Sequence, residues 1–344
     1  MIDVLFDARW IGNHGIGRIA RELQRLLPGL TPFHGRRRPS HPLDGILLGA
    51  ALSRIGPRLF FTPGGNPPIG WSGNFVFSLL DLNLLCVPEN SSAIKRAYYR
   101  HVIRPACHRA ASILTISEYS KREICEWAGV GEEKVVNVSC AVGAPFTPSG
   151  KKYDPGYPYL LYVGNRKPHK NLPRLLKAYS LSRVCKEVKL VLSGQPDRYV
   201  LEEVRRLGME GNVEFLDLPS DADLSDAYRG ALALMYPSFY EGFGLPPLEA
   251  MACGIPVLTS NVCSIPEVVG DAAITIDPFD MGAIADGINR LVHDDSLRVA
   301  LREKGLLRVN RFSWDETARK TWAALKCAGA SDTEGIMENK SVGF

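Results

Sequence analysis

The stretch YPSFYEGFGLPPLEA, residues Tyr236–Ala250, carries the pattern that decides the fold. An apolar run ends at Tyr236, two glycines follow, and Pro247 stands in the first turn of an apolar helical pattern, where its missing N–H costs nothing. The stretch therefore predicts a buried strand, a glycine turn and a helix. That succession is typical of α/β proteins with a parallel sheet.

The turn in this stretch is suited to an anion. Gly242 and Gly244 leave the backbone bare, so that amides can approach a phosphate at the positive end of the following helix. Glu241 and Glu249 lie at that turn and in the helix, where carboxylates accept hydrogen bonds from sugar hydroxyls. A plain glycine turn with a Glu that pairs with the helix dipole is the alternative.

A second loop, GNRKPHKN at residues 164–171, follows a predicted strand and carries three cations. Fixed positive charge at the carboxyl edge of a sheet stabilises a departing diphosphate, and Lys170 is the best single candidate for this role. For Arg166 and Lys167 a solvated loop is an equal alternative. His169 is expected to be packed or solvated rather than to act as a general base.

Strand and helix patterns alternate along all 344 residues, about twice the usual length of one domain. A Pro- and Gly-rich stretch at residues 143–158 interrupts the alternation and predicts a domain boundary, which gives residues 1–148 and 149–312. Two doubly wound domains would bind a ligand between them, at the carboxyl ends of the strands. A small, polar composition predicts a loose tail at residues 328–344.

The predicted elements follow the apolar periodicity. Strands are predicted at residues 2–6, 58–61, 74–80, 111–116, 159–163, 188–192, 213–216, 231–236 and 256–259. Helices are predicted at residues 16–27, 91–109, 118–128, 172–181, 199–207, 224–229, 247–252, 282–292 and 297–309.

Composition limits the functional classes. Apolar residues make up 45% and charged residues 23%, as in ordinary folded proteins, and no apolar stretch reaches the roughly 20 residues that span a bilayer. The opening residues Met1–Asp7 do not resemble an export signal. Eight scattered cysteines without C-x-x-C pairs favour core thiols over a disulfide framework or a zinc site. We therefore expect a cytoplasmic protein.

Positive charge is concentrated in the first half, where residues 1–150 carry 17 Lys and Arg against 11 Asp and Glu. One predicted helix contributes Lys95, Arg96, Arg100, Arg104 and Arg109. Such a face can bind anionic headgroups or a lipid-linked diphosphate at a membrane surface, while a solvated face is the equal alternative. Aromatic residues with basic neighbours do not form a nucleic-acid-binding module, so nucleic acid is not an expected partner.

Two further motifs weigh against other classes. The loop at residues 12–18 is not G-x-G-x-x-G, and Arg36–Arg38 stand where an acid would follow a second strand, so a nicotinamide site is disfavoured. A plain turn and a flexible loop at a ligand explain residues 12–18 equally well. The D-x-D at residues 221–223 precedes a helix, and helix capping explains it without a metal.

Taken together, the loop at residues 164–171, the Glu241 and Glu249 pair in its EGFG context, and the sequel at residues 252–273 resemble glycosyltransferase family 4. This family comprises retaining GT-B enzymes that use nucleotide sugars. The resemblance extends from Gly15–Arg18 to Phe312–Trp314. It implies two Rossmann-like domains that face each other across a cleft, the first for the acceptor and the second for the donor. A last helix, residues 313–327, would cross back to the first domain.

The resemblance also implies residue roles. Glu241 would bind the transferred sugar, Glu249 the ribose, and Lys170 the diphosphate, with Arg166 as an additional catalytic cation. The further donor-binding positions are Gly15, Gly17, Arg18, Asn165, Gly194, Leu218, Gly242, Phe243, Gly244 and Leu245. The acceptor-side positions are Asp81 and, from the basic excess of the predicted helix described above, Lys95, Arg96 and Arg100. No metal and no other cofactor is expected, because fixed cations replace the metal.

Two positions depart from the family pattern. Asn165 stands where Arg is common, so Arg166 or Arg18 would supply that charge. Leu80 precedes Asp81 where many members have His, so any role of that histidine is absent.

The expected reaction moves mannose from GDP-mannose to a hydroxyl of a glycan or lipid-linked acceptor, in the assembly of surface polysaccharide or lipopolysaccharide. UDP-glucose or a deoxysugar nucleotide is the alternative donor. A same-face attack and a covalent route through Glu241 both remain open. From another class, the chain could be a GT-B scaffold that binds a nucleotide sugar without turnover.

Overall fold

The computed structural model describes residues 3–12, 14–35, 37–39 and 41–338, with side chains to residue 330. The chain forms two compact units, Met1–Cys140 with Trp314–Phe344, and Ala141–Ser313. The change of unit falls after Cys140, earlier than the predicted boundary at residue 148.

The earlier boundary has a physical cause in the Pro- and Gly-rich connection, which packs onto the second unit. The ring of Phe146 lies buried in the core of that unit. The buried guanidinium of Arg229 donates hydrogen bonds to the carbonyls of Lys151, at 2.7 Å, and Thr147, at 3.2 Å. A predicted linker is therefore a structural part of the second unit.

The first unit contains a six-stranded sheet in the order β2-β1-β3-β4-β5-β6, with all pairings parallel. Its strands are β1 (Val4–Asp7), β2 (Leu30–Phe33), β3 (Leu59–Thr62), β4 (Asn74–Ser78), β5 (Ser112–Thr115) and β6 (Val135–Asn137). Phe6 lies opposite Phe61, and Phe77 lies opposite Ile113. The central strands are largely buried and mostly apolar, as expected when helices cover both faces of a parallel sheet.

Among the described residues, six α-helices accompany this sheet before the chain enters the second unit. They are α1 (Gly15–Leu26), α2 (Asp44–Ile55), α3 (Asn83–Cys86), α4 (Ala93–Tyr98), α5 (Arg104–Arg109) and α6 (Glu118–Ala128). Helix α6 has the predicted bounds, since the hydroxyl of Ser117 caps its start and Gly129, at φ 71°, ends it.

The second unit repeats the architecture with a parallel sheet in the order β12-β11-β10-β7-β8-β9. Its strands are β7 (Tyr159–Tyr162), β8 (Lys189–Ser193), β9 (Val213–Leu216), β10 (Ala233–Tyr236), β11 (Val257–Ser260) and β12 (Ile274–Ile276). Its helices are α7 (Leu172–Leu181), α8 (Arg198–Arg206), α9 (Asp221–Gly230), α10 (Leu245–Ala252), α11 (Ile265–Val269), α12 (Met281–His293) and α13 (Asp295–Val309). The predicted doubly wound α/β fold is confirmed for each unit.

The last helix, α14 (Trp314–Glu338), belongs to the first unit and packs on α1 and β4. A side chain at Gly29 would place its Cβ 2.7 Å from the Trp322 ring, so this contact requires glycine. Asn74 donates a hydrogen bond of 2.6 Å to the carbonyl of Ala328. Residues 328–338 are therefore helical rather than the predicted loose tail, and residues 339–344 lie outside the described part.

The helix predicted at residues 91–109 is interrupted. Between α4 and α5 lies a π-helical turn, Tyr99–Ile103. Pro105 offers no N–H and its ring would crowd the carbonyl four residues earlier, so a regular α-helix cannot pass through it. Arg96, Arg100 and Arg104, which are spaced four apart in the sequence, therefore do not lie on one regular α-helix.

A buried ion triad joins β1 to α2. The guanidinium of Arg9 lies 2.7 Å from a carboxylate oxygen of Asp7, which ends β1, and 2.7 Å from one of Asp44, which begins α2. The three side chains are at most 7% exposed. The two carboxylates share one guanidinium away from water, so removing either aspartate leaves Arg9 with one partner fewer.

We expect Asp44→Ala to lower the free energy of unfolding by roughly 1.5–3 kcal/mol, because it removes the buried charge-assisted hydrogen bonds from Arg9 to Asp44 while the Arg9–Asp7 pair remains. Urea unfolding followed by circular dichroism would measure this loss. Glu22→Ala is the matched control, since Glu22 pairs with the exposed Arg25 and should cost less than about 1 kcal/mol. Equal losses in the two variants would contradict the assigned role of the triad.

Candidate functional site

The quoted stretch folds as a strand, a turn and a helix, as predicted. Strand β10 ends at Tyr236 and helix α10 begins at Leu245. Gly244, between them, has φ 119°, and a Cβ there would lie 2.8 Å from the side chain of Ile265. The turn therefore requires glycine for both its conformation and its space.

Lys170 and Glu241 form an ion pair at the carboxyl edge of the second sheet. The ammonium of Lys170 lies 2.7 Å from Glu241 Oε1 and also donates to the Tyr236 hydroxyl at 2.7 Å. The two charged side chains are 13% and 12% exposed, and Tyr236 is buried beneath them. The loops after β7 and β10 are thus joined by one cation, one carboxylate and one phenol.

The protonation states of this trio follow from its surroundings. Burial by itself would raise the pKa of Glu241, but the Lys170 ammonium and the Tyr236 hydroxyl hold that pKa below its usual value. Burial, together with the charge of Glu241, raises the pKa of Tyr236 well above its usual value. The carboxylate is therefore anionic at neutral pH, and the phenol keeps its proton as a donor.

Glu249 occupies a deeper position on α10 and is 3% exposed. Its Oε2 accepts a hydrogen bond of 3.0 Å from the hydroxyl of Tyr228, which is itself fully buried. Both members of the glutamate pair therefore have a buried tyrosine as partner. The sequence alone did not identify Tyr228 and Tyr236 as partners of the two glutamates, because a tyrosine in an apolar stretch resembles an ordinary core residue.

Ser264 fixes the backbone of the glycine turn. Its hydroxyl lies 2.8 Å from the carbonyl oxygen of Glu241 and 2.9 Å from that of Phe243. Across a trans peptide the C=O and the following N–H point in opposite directions, so the N–H groups of Gly242 and Gly244 are directed away from Ser264. Ser264 was not singled out from the sequence, because nothing in its spacing connects it with the turn.

Arg166 lies in the same loop as Lys170 but has different partners. Its guanidinium donates to the carbonyl of Ser193 at 2.8 Å and pairs with Asp197 at 3.3 Å. It also lies over the Tyr162 ring, 5.8 Å from the centroid. The side chain is therefore held at the loop after β8, whereas Lys170 alone of the loop's cations is paired with Glu241 among the described residues.

Asn165 is exposed and caps its own loop, since its side chain accepts a hydrogen bond of 3.1 Å from the Lys167 N–H. The two loops predicted to frame a base follow β8 and β9. Gly194, at φ 86°, donates its N–H to the carbonyl of Leu216 at 2.8 Å. Leu218 is half-buried in the second of these loops, so the edge has an apolar wall there.

In the first unit, the glycine loop opens helix α1. The N–H of Gly17 donates to His14 Nδ1 at 3.0 Å, so His14 caps the helix. A Cβ on Gly17 would lie 2.4 Å from the Gly12 carbonyl, whereas Gly15 faces open space. Arg18 is half-buried in the first turn. Asn13, and Arg36 of the arginine run, lie outside the described residues.

The predicted acceptor-side residues are dispersed over the loop and helices that follow β4. Asp81 accepts a hydrogen bond of 2.9 Å from the Asn83 N–H, which shapes the loop. Lys95 donates to the carbonyl of Asn90 at 2.7 Å, and Arg96 donates to the Ser91 hydroxyl at 3.2 Å. Arg100 is exposed within the π turn.

The D-x-D sequence lies at a helix start, as the capping explanation predicts. Ser220 is the N-cap of α9, its hydroxyl accepting a hydrogen bond of 3.2 Å from the N–H of Asp223, and both aspartates occupy the first turn. Within the described ranges, no group of three or more His, Cys, Asp or Glu side chains could hold a metal ion.

Comparison with known proteins identifies the family. The family model described as glycosyl transferases group 1 matches residues 147–308. The O-antigen chain mannosyltransferase B of Escherichia coli is 35% identical over 260 residues, which cover 72% of this chain and 68% of that protein. The chain belongs to the group 1 glycosyltransferases. This confirms the resemblance to glycosyltransferase family 4.

Two further comparisons concern a second sequence relative of this glycosyltransferase and a solved structure with a similar fold. The O-antigen chain mannosyltransferase RfbU of Salmonella typhimurium is 32% identical over 60% of this chain, and the chain spans 58% of its length. The structure of sucrose-phosphate synthase from Thermosynechococcus elongatus superimposes with a TM-score of 0.76 at 19% identity, covering 96% of each chain. The predicted GT-B fold is thereby confirmed.

His169 in this glycosyltransferase provides a test of the loop's packing. It is 6% exposed, and burial, with the neighbouring Lys170, lowers its pKa to about 4. The unfolded chain binds a proton near pH 6.5 and the folded chain only near pH 4, so stability should fall by about 3 kcal/mol as the pH drops between these values.

Urea unfolding at pH 7, 5.5 and 4 would measure this dependence. We expect His169→Gln to be less pH-sensitive than the parent by that amount, since it removes the buried imidazole. His34→Gln, at an exposed position, is the control and should keep the parental slope. If both variants retain the parental slope, His169 is not the group responsible.

Proposed function

We propose that this glycosyltransferase moves a hexose from a nucleoside diphosphate sugar to a hydroxyl of a glycan or lipid-linked acceptor, with retention at the anomeric carbon. The observation that carries the proposal is the pairing of Lys170 with Glu241 beside the glycine turn. The cation can bind the diphosphate of a nucleotide sugar, and the carboxylate beside it can accept hydrogen bonds from the sugar hydroxyls.

The diphosphate would lie against the Lys170 ammonium and the N–H of Gly244, at the start of α10. The ammonium and the helix N-terminus both favour negative charge, which grows on the diphosphate as the glycosidic bond breaks. These groups are fixed before the reaction, so no reorganisation is needed when the charge develops. The guanidinium of Arg166, which belongs to the loop after β7 and is held against the loop after β8, would add positive potential.

Glu241 would accept hydrogen bonds from the sugar hydroxyls through the oxygen turned away from Lys170. The lowered pKa of Glu241 and its ion pair reduce its nucleophilicity, which favours same-face attack over a covalent glycosyl-enzyme. In same-face attack the acceptor oxygen bonds to the anomeric carbon as the bond to the diphosphate breaks. The departing phosphate oxygen takes the proton of the acceptor hydroxyl.

Mannose from GDP-mannose is the proposed donor, because two of the relatives above are named O-antigen mannosyltransferases. The same names support a role in the assembly of bacterial surface polysaccharide or lipopolysaccharide. UDP-glucose and deoxysugar nucleotides are the alternatives. A scaffold that binds a nucleotide sugar without turnover is the alternative from another class, and the departures at Asn165 and Leu80 motivate it.

The catalysis is proposed to need no metal, since Lys170 and the backbone amides would supply the positive charge that a metal otherwise brings to the diphosphate. The described residues include no helix long and apolar enough to cross a bilayer. We propose a cytoplasmic enzyme that associates with an anionic membrane surface through the basic excess of its first unit.

Replacing Lys170 should test the reaction directly. We expect Lys170→Met to lower kcat by about 10²–10³ with a smaller change in KM, because the ammonium acts on charge that develops in the transition state. Sugar transfer or donor hydrolysis would be followed over GDP-mannose, UDP-glucose and deoxysugar nucleotides. EDTA should leave the rate unchanged.

Lys167→Met is the matched control, because Lys167 is exposed in the same loop and should retain most of the activity. Thermal unfolding of both variants would separate a catalytic loss from a folding defect. Silence of the parent enzyme with every donor, despite tight nucleotide binding, would favour the scaffold. Equal losses in the two variants would contradict the role given to Lys170.

Membrane association has its own test. We expect the enzyme to sediment with vesicles containing phosphatidylglycerol at low salt and to remain in solution with phosphatidylcholine alone, because the attraction is electrostatic. Raising the salt concentration to about 0.5 M should release it, since screening then shortens the range of the attraction. Binding that depends neither on anionic lipid nor on the salt concentration would contradict the proposed electrostatic association.

A further inference from the structure

Two stacked phenylalanines lie at the carboxyl edge of the second sheet. Phe239 belongs to the turn after β10 and Phe279 follows β12, and their ring centroids are 4.6 Å apart with an interplanar angle of 11°. Phe279 is 60% exposed, and among the described residues it is the only largely exposed phenylalanine. One face of its ring rests on Phe239, so the other is open to solvent. We call these two rings the aromatic platform.

Hydrogen bonds hold both of the loops that carry the platform. The side-chain amide of Asn171, which is 1% exposed, donates to the carbonyl of Pro237 at 2.9 Å and to that of Pro278 at 2.8 Å. The N–H of Phe279 donates to the Asp277 carboxylate at 2.9 Å. The rings are therefore set in place before any ligand arrives, and binding to them costs little ordering of side chains.

The platform adjoins the ion pair of the candidate site. The N–H of Phe239 donates to the carbonyl of His169 at 2.7 Å, and His169 directly precedes Lys170. Phe239 precedes Glu241 by two residues, so their Cα atoms are at most about 7 Å apart. A ligand on the platform would consequently lie next to the groups proposed to hold the donor.

The polar groups around the rings are of both signs. Arg174, in the first turn of α7, has its guanidinium carbon 5.0 Å from the Phe239 centroid and 5.6 Å from that of Phe279. This guanidinium has no hydrogen bond or ion pair with any other described residue. Asp277 and Asp280 are exposed on either side of Phe279 in the chain. Such a rim suits a neutral ligand rich in hydroxyls better than one of strong charge of either sign.

The strand order separates the platform from the loops predicted to frame a nucleotide base. In the order β12-β11-β10-β7-β8-β9, those loops follow β8 and β9, whereas the platform is built from the loops after β10 and β12. Strand β12 lies four strand spacings, about 19 Å, from β8. Lys170 and Glu241, after β7 and β10, lie between the two positions. The platform is therefore on the side of the diphosphate where the sugar would be, away from the base.

We propose that the aromatic platform and Arg174 form a glycan-binding subsite, which holds a pyranose residue of the acceptor chain outside the reaction centre. The C–H face of a pyranose ring is apolar and packs on an aromatic face. Its hydroxyls can accept hydrogen bonds from the guanidinium and donate them to the carboxylates at the rim. The assignment of this glycan as the acceptor rests on the proposed function, whereas its binding does not.

Mannotetraose is the probe, since the proposed reaction adds mannose to a glycan. Its binding to the full chain would be measured by ligand-detected NMR titration, with GDP at saturation and no sugar donor. Binding that persists in GDP supports a subsite separate from the nucleotide, and binding that GDP abolishes overturns it. The proposal is also overturned if mannotetraose shows no binding.

Substitutions at the platform separate a defined subsite from general surface adhesion. Phe279→Ala should weaken mannotetraose binding about tenfold, as expected for the loss of one ring contact, and Phe279→Tyr should retain it. Tyr199→Ala is the matched control, because Tyr199 is an aromatic residue of the same unit, on α8, and is 61% exposed. It should bind the probe like the parent. Equal weakening by Phe279→Ala and Tyr199→Ala would overturn the proposal.

Sedimentation velocity tests the competing explanation, that the exposed ring is a contact with a second copy of the chain. We expect the parent and Phe279→Ala to have the same oligomeric state. A dimer that Phe279→Ala dissociates, with unchanged affinity for mannotetraose, would overturn the subsite in favour of self-association.

The last arm distinguishes failure of the subsite from failure of the proposed function. Lys170→Met should bind mannotetraose like the parent, because binding needs no turnover. In transfer assays Phe279→Ala should raise KM for mannotetraose about tenfold with little change in kcat, and should raise KM for methyl mannoside less. A parent that transfers no sugar but binds the probe through Phe279 overturns only the proposed function. An active enzyme whose KM for mannotetraose ignores Phe279→Ala overturns the subsite.

Discussion

The ion pair between Lys170 and Glu241 is the constraint on which the second unit's site depends. Strands β7 and β10 are neighbours in the sheet, so the loops that follow them meet at its carboxyl edge. Two largely buried charges are tolerable there because each satisfies the other and the Tyr236 hydroxyl satisfies both. The Ser264 hydroxyl, through its hydrogen bonds to the turn, and the glycine conformation at Gly244 fix the backbone of the turn beside that pair.

Much of this arrangement could be predicted from the sequence, because strands that end in glycine-containing loops fix where polar groups appear. The glutamate pair, the cationic loop and the doubly wound fold follow from residues 164–171 and 236–250. The depth of each carboxylate does not, since spacing along the chain says nothing about burial. That is why Tyr228 and Tyr236 escaped notice, although each sets the hydrogen bonding of one glutamate.

The elements that were missed share a physical character. Strands β2, β6 and β12 are three or four residues long and lie at sheet edges, where packing rather than apolar periodicity defines a strand. Helix α2 buries Gly45 and Gly49 against Ile69. It leaves Ile46 and Leu47 exposed, so its apolar residues do not follow a single buried face. The break at the π turn was hidden because evenly spaced arginines resemble an unbroken helix.

The orientation of α4 relative to α5 depends on the one additional residue that the π turn contains. Shortening the segment between Tyr99 and Ile103 by one amino acid would restore regular winding and swing everything on α4 by about 100° relative to α5. Arg96 would then be carried off the face that it shares with His101. Homologues that keep every arginine but lack one residue of this turn would therefore place the arginines of α4 on a different face relative to α5.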